Sequence, residues 1–220
     1  MAEQFQNRTD AGRQLAAALL RYAGRDDVVV LGLPRGGVPV AFELAMALDS
    51  PLDVFIVRKL GLPGHEEFAI GAIATGDVRV VDEAVLHAYG VDRETLDGIT
   101  ERERRELTRR EHLYRDDRPF PIVQDRIVIL VDDGLATGST MRAAIAALRA
   151  KGPRDIVVAV PVGAPETCSA ITALADDVVC LETPDPFYAV GLWYANFEQT
   201  TDEEVHELLE RAASRTTRPQ

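Results

Sequence analysis

The chain lacks the features that would commit it to several common classes. It has only two cysteines, Cys168 and Cys180, a weak basis for a disulfide framework, and no Cys/His cluster at zinc-site spacing. The pair reads as two buried thiols of a cytoplasmic protein. Long apolar runs are missing as well. Residues 28–33 form one of the longest, far short of the roughly 20 residues a membrane helix needs. The polar N-terminus has neither the basic start nor the apolar core of a secretion signal. Basic excess is absent: 24 Lys and Arg stand against 36 Asp and Glu, a net charge of −12, opposite in sign to a general nucleic-acid binder. No internal repeat is visible. What remains, at 220 residues and 46% apolar content, is enough for a sizeable core.

The chain alternates strand and helix signals. Residues 7–22 read as an amphipathic helix capped by Thr9 or Asp10, with Leu15, Leu19 and Leu20 on its apolar side. Residues 28–33 are a short, uniformly apolar segment typical of a buried parallel strand. A glycine-rich turn over 32–37, a helix over 38–48 and a strand over 53–57 complete a βαβ start. Residues 60–64 read as a turn-rich loop, 68–73 and 78–81 as a hairpin, and 82–89 as a short helix. Residues 92–114 form a long charged helix that packs through Leu96, Ile99, Leu107 and Leu113. Regular order returns with a strand over 126–131, a helix over 139–150 and a strand over 155–160. A helix over 164–175 and a strand over 178–181 follow. A terminal helix over 202–213, capped by Thr201, precedes a frayed end over 214–220.

Three loops carry chemistry. Residues 127–140, IVILVDDGLATGST, deliver Asp132 and Asp133 to the C-terminal edge of a strand, where open α/β sheets bind ligands. Small and hydroxylated residues then lead into a helix start whose unpaired N–H groups favour a phosphate. Carboxylates beside a phosphate cradle make sense if they face ribose hydroxyls or a bound Mg²⁺. The segment LGLPRGGVPVAFELA, residues 31–45, repeats the design. Arg35 supplies a cation there, and Gly36 and Gly37 allow close backbone approach. It is neither a G-x-G-x-x-G fingerprint nor a Walker loop, and reads as a second anion site. Arg58-Lys59 follows the next strand and is placed to neutralise pyrophosphate.

The 127–140 segment resembles the phosphoribosyl-pyrophosphate motif of type I phosphoribosyltransferases, and VDDGLATGST is especially similar to the adenine phosphoribosyltransferase version. "RKLGLPG" also resembles the adenine enzymes. The resemblance covers mainly residues 28–64 and 126–181. It implies a mainly parallel central sheet flanked by helices, with a hairpin and helical insertion over 65–118 and a C-terminal hood over 183–200. All of this is read as one domain over 1–220. It implies that Asp132 and Asp133 bind the ribose hydroxyls and the metal. Ala136, Thr137, Gly138, Ser139 and Thr140 would hold the 5-phosphate. Pro34, Arg35, Gly36 and Gly37 would hold pyrophosphate, in a loop that often carries a strained or cis peptide, and Lys59 is the matching basic residue. Several purine enzymes have aspartate where this chain has Ala136; adenine enzymes lack it too, which weighs against hypoxanthine and guanine.

The implied reaction is Mg²⁺-dependent transfer of the phosphoribosyl group to a nitrogen acceptor, with Arg35 and Lys59 stabilising the leaving pyrophosphate. Residues 65–76 are the best-placed cover for the site. Glu66 and Glu67 are the candidate proton acceptors, Glu67 being the preferred one, and His65 is a further option. Phe187, Tyr188, Trp193, Tyr194 and Phe197 cluster in a chain with 6% aromatics. They suit a flat base, with Phe187 and Trp193 preferred; packing of the terminal helix or a subunit interface is the alternative. The partners expected are small-molecule substrates, with a homodimer admitted, and neither membrane nor nucleic acid. A non-catalytic sensor of the donor or of a nucleotide, or an interaction module, are the rival classes.

Overall fold

Five short apolar segments become the strands of one parallel sheet. The computed structural model describes residues 4–116 and 118–216, with the side chains of Glu67 and Thr216 outside that description. Strands β1 (Val28–Gly32), β2 (Leu52–Val54), β6 (Ile127–Val131), β7 (Asp155–Val162) and β8 (Asp177–Glu182) are ordered β2-β1-β6-β7-β8. Every neighbouring pair is parallel. β1 and β6 are buried at all positions, because both sheet faces are covered. Val28 and Val30 point to one face, where Leu15 of α1 (Arg8–Ala18) and Leu44 of α2 (Gly37–Leu48) lie. Val29 and Leu31 point to the other, against Met141 and Leu148 of α5 (Ser139–Arg149) and Ile171 of α6 (Pro165–Thr172). The period-2 alternation of a strand thus fills two separate layers.

A second sheet joins β3 (Val57–Leu62), β4 (His65–Ala74) and β5 (Val78–Val81) antiparallel, in that order. With α3 (Glu83–Tyr89), α4 (Arg93–Arg115) and α7 (Asp202–Thr216) it encloses a core built on Ile56, Leu60, Ile70, Leu96 and Leu209. Because β1 and β6 are adjacent, with Gly32 opposite Val131, the loops leaving their C-terminal ends meet. That adjacency builds the site.

Several local expectations are corrected. The expected strand over 53–57 ends at Val54, and the chain crosses into β3, which runs through the stretch expected as a loop. Pairing with β4 draws Leu60, Gly61 and Leu62 into the strand, and the expected turn narrows to Pro63-Gly64. The register slips around Gly61, where a Cβ would meet the Glu66 carbonyl oxygen at 2.5 Å. Helix α1 is capped by Asn7, whose side chain accepts from the Asp10 N–H at 2.9 Å, rather than by Thr9 or Asp10. Leu113 is exposed, and Tyr114 takes its place in the core with Leu96, Ile99 and Leu107; the buried stripe of a long helix tolerates no one-residue offset. Cys168 and Cys180, expected as thiols, are joined in a disulfide between α6 and β8. The end expected to fray stays helical through Thr216, and residues 217–220 lie outside the described part. Thr201 does cap α7, accepting from the Glu204 N–H at 3.1 Å.

One buried ion pair bears on stability. Arg115 Nε lies 3.1 Å from Asp53 Oδ1, yet burial pushes the Asp53 carboxyl up to about 6 against the pull of Arg115. A carboxyl whose pKa is higher in the folded than in the unfolded chain, where it is about 3.9, favours folding most in acid. Its contribution falls as pH rises through about 6. Asp53→Asn is therefore expected to remove a decline on the order of 3 kcal/mol between acid and neutral pH. Unfolding midpoints of both proteins across that range provide the check; parallel curves contradict it.

Candidate active site

The glycine loop after β1 lies directly on the acidic pair after β6. A Cβ at Gly36 would stand 2.6 Å from Asp133 Cγ, and one at Gly37 would stand 2.6 Å from the Val131 carbonyl oxygen and 2.9 Å from Asp132 Cα. At Gly37 the approach is backbone to backbone, and at Gly36 it is backbone to the Asp133 side chain; neither leaves room for a Cβ. The Pro34–Arg35 peptide is cis, as the resemblance implied for this loop. Asp132 Oδ1 accepts from the Asp133 N–H at 2.9 Å. Burial pushes the Asp132 carboxyl well above its usual range, and the neighbouring Asp133 adds to this. Burial also pushes Asp133 up, against the pull of Arg8.

Beyond the pair, residues 136–140 form an open cradle. Gly138 adopts φ 72 as the N-cap of α5, and a Cβ there would meet Thr167 Cγ2 at 2.7 Å. Thr167 also donates from its hydroxyl to the Ala136 carbonyl at 2.7 Å, so α6 holds the loop from behind. The amides of Ala136, Thr137, Gly138 and Thr140 have no hydrogen-bond partner among the described residues. Ala136, Thr137, Ser139 and Thr140 are exposed. Unpaired N–H groups at a helix start, with the helix dipole behind them, suit a phosphate.

The cations divide differently from the sequence expectation. Lys59 Nζ donates to Ser139 Oγ at 3.4 Å, at the edge of the 136–140 loop. Arg58, expected beside it at pyrophosphate, points to the other face of β3 and binds Glu103 of α4 at 2.6 and 2.9 Å. Strand alternation separates consecutive side chains. Arg35 Nη1 stands 3.8 Å from Asp202 Oδ1 at the start of α7. Lys59 and Ser139 also border a cavity of 640 Å³ between α5 and the second sheet, together with Phe68, Val80 and Arg142.

Two residues at the acidic pair were missed by sequence reasoning. Arg8 Nε and Nη2 approach Asp133 Oδ2 at 2.8 and 2.7 Å, Nη1 donates to the Glu198 carbonyl at 2.6 Å, and the guanidinium sits 4.0 Å from the centroid of the Phe197 ring. Nothing local distinguishes Arg8 from a surface charge at a helix start. The Tyr194 hydroxyl donates to the Asp133 carbonyl at 2.5 Å; burial, reinforced by the Asp133 charge, pushes its pKa up, which keeps it a donor. Tyr194 had been grouped with the base-stacking aromatics.

The rest of that aromatic group is spread out. Phe187 and Trp193 pack against the cluster of Phe5, Ala11, Val162 and Tyr194, and Tyr188 is exposed. The N-terminal segment pairs with this region through a Phe5–Tyr194 bridge. Val190 lies over Gly134, which sets the turn Val190–Trp193 against the acidic loop. His65 and Glu66 are exposed at the start of β4, and Glu66 Oε1 accepts from the Gly64 N–H at 3.3 Å. The Glu67 side chain lies outside the described residues.

The arrangement offers an anion cradle, a second glycine loop and an acidic pair in one place. The phosphoribosyl transferase domain family matches residues 1–195. Rv0571c of Mycobacterium tuberculosis, named as a phosphoribosyl transferase, is 48% identical over 208 residues, which cover 94% of this chain and 47% of that protein. The chain thus spans about half the length of the curated relatives it matches. The crystal structure of TT1426 from Thermus thermophilus superposes with a TM-score of 0.86 at 45% identity, covering 94% of this chain and 98% of that one. AQ2163 from Aquifex aeolicus shares the fold, with a TM-score of 0.51 at 11% identity over 92% of this chain and 84% of that one. No described helix is long and apolar enough to cross a membrane. Sheet, loops and relatives agree: the chain belongs to the type I phosphoribosyltransferase family.

Proposed function

We propose that the chain transfers the 5-phosphoribosyl group from phosphoribosyl pyrophosphate to a nitrogen of a purine-like base, with adenine-like acceptors preferred. The observation that carries this reading is the contact of the Gly36-Gly37 turn with Asp132 and Asp133, beside the open cradle at 136–140. A sugar carrying phosphate groups at both ends and a diol between them needs these three elements together. The VDDGLATGST wording and Ala136 support the adenine-like preference.

Mg²⁺ fits the acidic pair. Among the described residues, the two partly buried carboxylates have one close cation, Arg8, held on Asp133, which leaves Asp132 with oxygen donors of the type a hard cation takes. Asp132 and Asp133 would hold the ion, which supplies charge neutralisation for the leaving pyrophosphate. Asp132 and Asp133 would also orient the ribose hydroxyls, and the amides of 136–140 anchor the 5-phosphate. Pro34, Arg35, Gly36 and Gly37 receive pyrophosphate. The acceptor nitrogen forms its bond to the anomeric carbon as the carbon–oxygen bond to pyrophosphate breaks and the oxygen keeps the electron pair. The acceptor's proton passes to Glu67. Fixed placement of the two reactants supplies much of the rate gain. Phe187 and Trp193 of the hood contact the base, and residues 65–76 of the 65–118 insertion cover the site within a single domain over 1–220. The reading includes a cytoplasmic setting, small-molecule substrates and a homodimer; the Cys168–Cys180 pair weighs against the first, since disulfides are rare in reducing compartments.

The test is a screen of nucleobases, orotate, nicotinate, quinolinate and ammonia for donor-dependent pyrophosphate release. Turnover with orotate or a pyridine acid but no purine would overturn the acceptor. Silence with every acceptor despite tight donor binding would transfer the reading to a sensor. With a working acceptor, Lys59→Ala is expected to lower kcat/KM by roughly 10- to 100-fold, the worth of one charge-assisted contact. Its exposed side chain makes stability change by no more than about 0.5 kcal/mol. An unchanged kcat/KM would remove Lys59 from the machinery.

A further inference from the structure

Far along α4, the helix end faces α7 across an open cavity of 560 Å³. Arg109, His112, Leu113 and Asp116 line it from the α4 side, and Asp202, Glu203 and His206 from α7. On α7, His206 and Glu210 are four residues apart, a spacing that places both groups on one helical face; Asp116, the C-cap of α4 with φ 51, meets them from the facing helix end. His206 Nε2 lies 3.9 Å from Asp116 Oδ2 and 3.6 Å from Glu210 Oε1, and all three atoms are within 4.8 Å of one another.

Those separations are too long for hydrogen bonds. The 3.6 Å separation is close to the roughly 3.3–3.4 Å between two ligand atoms sharing a tetrahedral ion at about 2.0–2.1 Å, and a small turn of the exposed Asp116 side chain would bring the 3.9 Å one to it. The imidazole is otherwise idle. His206 Nδ1 is buried without a partner among the described residues, and Nε2 makes no hydrogen bond among them. The local charge is also suited to a cation. Asp116, Asp202, Glu203 and Glu210 surround the spot, while the nearby Arg109 is engaged by Glu106 at 2.8 and 3.0 Å.

We propose that His206, Asp116 and Glu210 form a three-ligand site for a divalent transition-metal ion of the zinc class. Imidazole with carboxylate selects such ions over Mg²⁺, which prefers oxygen alone. The site is separate from the acidic pair at Asp132 and Asp133. An ion there would tie α4 to α7, two helices already joined by the Tyr114 hydroxyl donating to Asp202 Oδ1 at 2.5 Å. Asp202 in turn stands 3.8 Å from Arg35 of the glycine loop, so the clamp would steady the helix start that Arg35 meets.

The experiment is equilibrium dialysis of the whole chain against Zn²⁺ with Mg²⁺ in excess, with Co²⁺ as a spectroscopic probe. One equivalent of Zn²⁺ is expected to bind and to raise the unfolding midpoint by mass action. Co²⁺ is expected to give visible bands of four-coordinate type. His206→Ala alters a partly buried side chain and Glu210→Gln an exposed one; both should fold as the parent does, which their metal-free midpoints verify. Loss of a direct ligand should weaken Zn²⁺ by about 100-fold or more, since outer-shell changes alone give 10- to 100-fold. The double change Asp132→Asn, Asp133→Asn should leave Zn²⁺ binding intact. The proposal is overturned by the absence of saturable Zn²⁺ binding, by binding undiminished in both helix variants, or by binding that disappears with the acidic pair.

Discussion

Replacing Asp132 and Asp133 together by asparagine is expected to weaken binding of Mg²⁺-phosphoribosyl pyrophosphate by roughly two orders of magnitude or more, without unfolding the protein. Each carboxylate would contribute charge-assisted hydrogen bonds worth about 1.5–3 kcal/mol, and two such losses correspond to at least a hundredfold. Stability should respond in the opposite sense at Asp132. Burial raises its pKa, so its ionised form opposes folding; the stability it lends in acid is lost as pH rises through the folded value. Asp132→Asn keeps the shape and removes that opposition, so its unfolding midpoint should equal or exceed the parent's at neutral pH. Asp133→Asn should gain less, because it leaves the Arg8 guanidinium, now at 2.7 Å from a carboxylate, facing a neutral amide. Calorimetric titration and thermal unfolding of the two single variants and the double variant are the measurements. Parent-like donor affinity in the double variant would remove the acidic pair from the donor site.

Alanine at the two loop glycines should separate a side-chain obstacle from a backbone one. Gly36 has φ −60 and ψ −31, values any residue adopts, so alanine there carries no conformational penalty of its own. Its Cβ would meet the Asp133 carboxylate and, at 3.2 Å, Arg8 Nε. Those are side chains that can move. Gly36→Ala should therefore fold, yet turn Asp133 out of position and weaken the donor by about tenfold or more, as loss of one charged contact does. At Gly37 the obstacles are the Val131 carbonyl oxygen and Asp132 Cα, backbone atoms at and just past the end of the central strand β6, which cannot give. Gly37→Ala should destabilise the fold itself by about 1–3 kcal/mol, the usual range for overpacking. A double-mutant cycle of Gly36→Ala with Asp133→Asn tests the first route directly. If the two donor effects add in full, Gly36 acts on something other than Asp133.

The sequence by itself determined the parallel sheet and its two main loops. Val28 to Gly32 and Ile127 to Val131 are apolar at every position, and glycines or a small-residue turn follow each. Strand length, burial on both faces and turn chemistry are local properties, so a one-dimensional reading captures them. The acidic pair and the cradle at 136–140 were legible for the same reason, being contiguous in the chain.

Only the tertiary structure decided which groups meet. Arg8 and Asp133 are separated by 125 positions, and Tyr194 and Asp133 by 61; no local pattern encodes either contact. The division between Arg58 and Lys59 depended on both lying within strand β3, which pairing with β4 imposed on residues 57–62. The Cys168–Cys180 disulfide likewise depended on α6 packing beside β8. Backbone preferences act over a few residues and can be read along the chain. Hydrogen bonds, ion pairs and disulfides depend on distance in space, which the packing of the two sheets and their helices sets.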